Sequence, residues 1–218
     1  MSDDFIERVW AYREEQVYPA LFGDLGEGIY PLNDKTFAAF EQEPDARWLF
    51  TGVFESAPSD KHEGWVYVSS GLSTPWEQEG PAQSRDEASW LGLELVFHTE
   101  EQSDWAIHLV QRIAAFEILL AHGCFPGRER LSFGDRIPIR GPLVPGSDSA
   151  LTYLLLAPRE PDTQQFQLES GFVDLVQLVG ITDGEAAFAR EHGLAPLLDV
   201  LRKGNAHAIT RPWRASLV

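Results

Sequence analysis

A single cysteine, Cys124, stands among 218 residues, so the chain can form no internal disulfide and no multi-cysteine zinc site. That scarcity fits a reducing compartment. Basic residues are also few, with 17 Lys and Arg against 34 Asp and Glu, for a formal net charge of −17. A surface of that sign repels phosphate backbones and anionic membrane faces, so neither nucleic acid nor membrane is an expected partner. No apolar run approaches the ~18 residues of a transmembrane span. The opening Met1-Ser2-Asp3-Asp4 puts acids where a signal peptide carries Lys or Arg, so a cytoplasmic location is expected. Internal repeats are missing as well, which excludes a solenoid or propeller.

What is present suffices for a core. Hydrophobic residues make up 44% and aromatic residues 11%, enough for a chain of this length to fold alone as one domain. The charge is uneven: the first hundred residues hold 20 acidic and 6 basic side chains (net −14), leaving 14 and 11 (net −3) for the rest. A charged partner is therefore expected to be basic and to meet the N-terminal half.

Apolar spacing from Asp3 to about Leu21 predicts an amphipathic opening helix that buries Trp10. A loop or short helix follows through Pro31 to Pro44, then strand-like text from Trp48 to Glu55 and a clear strand from Trp65 to Ser70. Residues 73–89, rich in Ser, Pro, Glu and Gln, predict a surface loop before a strand from Trp90 to His98. Thr99-Glu100-Glu101-Gln102 reads as a capping box that opens a long central helix ending at His122, with Gly123 in the left-handed position after it. Further strands are expected at Ile137–Ile139, Ala150–Ala157 and Phe172–Ile181, the last two almost continuously apolar, as strands covered on both faces are. Thr182-Asp183-Gly184-Glu185 is a second capping box. It opens a helix that stops at Gly193, and Leu194–Lys203 forms one more. Without regular βαβ alternation, the reading is α+β, with a mixed sheet flanked by helices in a single domain.

Chemical motifs are sparse. No G-x-S-x-G elbow surrounds Ser69 or Ser70, the six histidines lack metal-ligand spacing, and no phosphate-binding glycine loop is present. No cofactor, metal or catalytic residue is expected. Asp174 and Gln177 sit inside apolar strand text and need partners if buried, a loop backbone or an arginine being the expected ones. Trp76 falls in the Ser73-Thr74-Pro75-Trp76-Glu77 loop, as either a lid over the core or a contact anchor. Gly134-Asp135-Arg136 precedes a short Pro- and Gly-flanked strand, where an acid can face a visitor.

Several segments together resemble a known family. Gly64-Trp65-Val66-Tyr67-Val68-Ser69-Ser70-Gly71-Leu72-Ser73 with Pro75-Trp76, then Gly92-Leu93-Glu94-Leu95-Val96-Phe97, Gly134-Asp135, Leu154-Leu155-Leu156 and Val173–Thr182 follow one another as in the suppressor-of-fused-like domain. The resemblance runs from about residue 48 to 210. It implies a non-enzymatic α+β domain that grips another protein. Animal members take an extended segment of a transcription factor as an added strand between two domains, and the second domain would begin where this chain ends. The resemblance places Asp135 at the partner-binding acid of those proteins and Phe116 at a nearby helix aromatic, with Phe in place of Tyr. Asp135, Arg136, Phe116 and Trp76 are thus the candidate partner-binding residues. Single-domain bacterial relatives resemble immunity proteins encoded beside polymorphic toxins. An immunity-type inhibitor of a basic toxin is therefore the leading expectation. The alternative is a regulatory adaptor that binds an endogenous peptide or transcription regulator by β-strand addition.

Overall fold

The computed structural model describes residues 3–159 and 164–218. Its apolar runs assemble one mixed sheet from β1 (Tyr30–Pro31), β2 (Gly52–Ser56), β3 (Trp65–Ser70), β4 (Ala88–Thr99), β5 (Arg136–Pro138), β6 (Leu151–Pro158), β7 (Gln165–Leu168) and β8 (Gly171–Thr182). The strand order is β1-β2-β3-β4-β8-β6-β5, with β7 paired to the start of β8. Only β4 and β8 run parallel, in a register that sets Leu95 beside Val176. The other pairs are antiparallel. The class is α+β.

Both faces of the sheet are covered, which is why β6 and β8 read as almost continuously apolar text. On one face α4 (Asp104–Ala121) lays Val110, Ile113, Ala114 and Ile118 against Leu93, Leu95, Phe97, Leu154 and Leu178. On the other, Tyr18 and Phe22 of the opening segment pack on Phe54, Val66, Val68 and Val96. Beside them α5 (Asp183–His192) and α6 (Leu194–Lys203) cover Leu155, Val179 and Ile181. The capping box of α5 forms as read, with Thr182 Oγ1 accepting from Glu185 N and Glu185 Oε2 from Thr182 N.

Several expectations are corrected. The opening helix is interrupted: α1 (Asp3–Tyr12) passes into a π turn at Arg13–Val17 before α2 (Tyr18–Phe22). The wider turn carries one extra residue, and Arg13 and Tyr18 are both buried. Trp10 keeps part of its ring exposed, packed on Phe50 and Trp76 with its Nε1 donating to Thr74 Oγ1. The Trp48–Glu55 text divides into a 3-10 turn (Ala46–Phe50) and β2, while α3 (Asp34–Ala38) supplies the short helix before them. The Thr99 capping box does not form: Thr99 donates to Glu101 O, Gln102 turns to Glu55, and α4 starts after Ser103. Residues 73–76 of the expected surface loop are buried. Asp174 is satisfied by Gln165 of β7, a strand of only four residues that was not expected from the sequence. No helix among the described residues is long and apolar enough to cross a membrane.

Candidate partner-binding site

Asp135 sits in the loop entering β5, at one end of the sheet. Its backbone is locked to β6, since Leu156 N donates to Asp135 O at 2.9 Å and Gly134 N to Leu156 O at 2.8 Å. Its carboxylate is half-buried and caps its own loop, accepting from Ser132 N at 2.8 Å. The same loop is fastened to α4 by Glu117, which is fully buried and accepts from Leu131 N at 2.9 Å and Arg130 Nε at 2.8 Å. Burial pushes the Glu117 carboxyl above the ordinary range, against the pull of Leu131 N and Arg130. Arg130 reaches on to Leu91 O at 2.6 Å, so the loop is held from α4 and β4 together. Phe116, next to Glu117, stacks on Phe40 at 5.7 Å and leans on Phe125 at 5.3 Å.

The edge itself is blunted. Asp135 O and Ile139 N both engage β6, so alternation turns the backbone groups of Arg136 and Pro138 outward. Arg136 offers an N–H and a carbonyl there, Pro138 only a carbonyl. At the opposite end Pro31 removes a donor from β1, and Gln111 Nε2 covers the Tyr30 and Pro31 carbonyls at 3.1 and 2.9 Å. Both sheet ends are poor templates for strand addition.

A second polar cluster escaped the sequence reading. Glu94, in the middle of β4, is fully buried, and its Oε1 accepts from Gly71 N at 3.0 Å, Ser73 N at 2.9 Å and Ser73 Oγ at 2.7 Å. Ser69 Oγ donates to its other oxygen. Burial pushes this carboxyl above its ordinary range, and Arg13 and the serine hydroxyls pull it back. Gly71 is required at this turn: its φ is +135°, and a Cβ there would stand 2.6 Å from Thr51 Cα. Arg13, 1% exposed, reaches from the π turn to Ser73 Oγ at 3.0 Å, Glu14 Oε1 at 3.0 Å and Glu94 Oε1 at 3.7 Å. Ser70 donates to Glu14 at 2.6 Å. Ser69 and Ser70 therefore turn to carboxylates and not to an imidazole. The signal that could have found Glu94 was an acid in the apolar Leu93-Glu94-Leu95 text facing the serine-rich turn 69–73. Above this cluster, Trp76 is only 9% exposed and packs behind Trp10, whose Nε1 donates to Thr74 Oγ1 at 2.8 Å.

The family model of the Suppressor of fused protein (SUFU) matches residues 51–215, more than half of the chain. The chain belongs to the suppressor of fused family. Solved structures agree on the fold. A putative SUFU homolog from Neisseria gonorrhoeae aligns at a TM-score of 0.64 and 20% identity, covering 99% of this chain and 97% of that one. The Sufu-Fu complex structure aligns at 0.58 and 23%, covering 77% and 76%. Drosophila Suppressor of Fused aligns at 0.59 and 23%, covering 77% of this chain, which spans only 42% of that protein. A search of curated proteins finds no match. Within the suppressor of fused match lie both clusters built from β4 and β5, while α1 and the π turn precede it.

Proposed function

We propose that this chain is a non-enzymatic protein-binding domain that meets its partner around Asp135 and Arg136 at the β5 end, as an immunity-type inhibitor of a basic toxin. The observation that carries the reading is the Asp135 loop at the β5 end of the sheet, whose carboxylate is capped by Ser132 N and whose backbone is fastened to β6 and, through Leu131 and Arg130, to Glu117. Such bracing lowers the ordering cost of a contact. Support comes from the Sufu structure solved with a protein partner, and from a net charge of −17 that would steer a basic partner quickly. The adaptor reading shares the binding event but asks for a row of backbone donors. With Pro138 in β5, Arg136 N–H is the outward donor there. Recognition through side chains suits this edge better than strand addition.

The test uses two variants against the partner that copurifies with the tagged chain from its host. Asp135→Ala removes both charge and cap, so stability should fall by about 1 kcal/mol and affinity by about ten- to a hundredfold. Asp135→Asn keeps an acceptor for Ser132 N, so its melting temperature should stay near wild type while affinity drops in the same range. Affinity unchanged in Asp135→Asn contradicts the site. A toxin-like reading frame beside this one would favour immunity over the adaptor role.

A further inference from the structure

The aromatic cluster near β2 and β3 is separate from the Asp135 end, with β4, β8 and β6 between them. Phe50 is 61% exposed, an unusual position for a ring of that size. It stacks on Trp10 with centroids 5.9 Å apart and planes 28° from parallel, and Trp76 backs both rings at 5.8 and 5.9 Å. The stack is fixed from below, because Thr74 Oγ1 accepts from the Trp10 indole and lies 3.4 Å from Arg13 Nη1.

The rim is acidic. Glu77 follows Trp76 in the open, and Glu14, about one turn beyond Trp10, keeps 31% of its side chain exposed while its Oε1 is held by Arg13 and Ser70. Arg47, which feels the charge of Glu77, is paired with Asp45 at 3.1 Å. A rigid aromatic face edged by carboxylates attracts a cation twice over, by the ring quadrupole and by charge. We propose that the Phe50–Trp10 face is a second contact surface, taking an arginine or lysine side chain of a basic protein partner. It goes beyond the Asp135 reading and stands or falls independently of it, because Asp135 variants leave this face intact.

The probe is the peptide acetyl-Gly-Arg-Gly-Arg-Gly-amide, with a control in which both arginines are citrulline, the neutral isostere. Binding to the full chain is followed by the 15N-indole resonance of Trp10, assigned with Trp10→Phe. The arginine peptide should shift that resonance with millimolar affinity, and the citrulline peptide should bind at least about threefold more weakly. Phe50→Ala should weaken the arginine peptide by a similar factor, with a melting temperature close to wild type because Phe50 is mostly exposed. Phe50→Trp should bind at least as well as wild type. No shift up to about 10 mM peptide, an equal response from the citrulline control, or unchanged affinity in Phe50→Ala overturns the proposal.

Discussion

Arg13→Met should destabilise the protein by about 3–5 kcal/mol, lowering the melting temperature by about 10 °C. The reason is what the substitution leaves behind. Glu94 has no exposed surface, and Arg13 is the cation nearest to it. Without the guanidinium, Ser69, Gly71 and Ser73 still donate to Glu94, but the charge stays buried and uncompensated. Such a carboxyl titrates above its unfolded range, so the stability it contributes is present at low pH and is lost as pH rises. The deficit of Arg13→Met against wild type should therefore be larger at pH 8 than at pH 5. Adding Glu94→Gln to Arg13→Met should recover part of the loss, because a neutral amide needs no cation. A deficit under about 1 kcal/mol that ignores pH would show that the opening segment is held by its apolar contacts alone.

The second large effect concerns acid. His98 lies in β4, its carbonyl accepting from Thr210 N and its ring edge-on to His62 at 5.9 Å. Burial, helped by the charges of Arg159 and His62, lowers its pKa to about 3. An unfolded histidine titrates near 6.5, so the unfolded chain takes up this proton first. Stability from the neutral ring is complete above about pH 6.5 and is lost as pH falls toward 3. At 1.36 kcal/mol per decade the full loss is about 4–5 kcal/mol, of which about 2.5–3 is reached by pH 4.5. Carboxylates contribute to acid unfolding too, so the reading is a difference. Urea unfolding of wild type and His98→Leu, compared between pH 7.5 and 4.5, should show the wild type losing about 2.5–3 kcal/mol more. Equal losses would mean that the His98 ring is protonated in the native state.

Long elements were legible because their periodicity had no competitor. Trp65–Ser70 and Leu194–Lys203 have the bounds that their apolar patterns predict, and β8 exceeds its predicted span by one residue at each end. The failures have local physical causes. Thr99 could donate to Glu101 O, and that bond displaced the reciprocal cap. β7 is polar on its exposed positions and is held by pairing with β8, a long-range cause invisible to a local pattern. The π turn changes no residue preference, yet it brings Arg13 onto Glu94, 81 positions away. Asp135 was readable as a loop acid, whereas its dependence on Ser132 and Glu117 required the packed α4. Trp76 stood equally for lid and anchor. It is buried behind Trp10 and Phe50, and the exposed ring of that cluster is Phe50, which the sequence reading did not single out.

If the β5 end meets another protein, a side chain at position 136 lies against that partner in the complex. The most direct measurement replaces Arg136 by a benzophenone amino acid in the full chain, irradiates it in the native host, and compares it with the same probe at exposed Lys203 on α6. A specific adduct with another polypeptide is expected from position 136, absent from position 203 and reduced by Asp135→Asn. No adduct from position 136, or the same adducts from both positions, would contradict a contact at the β5 end.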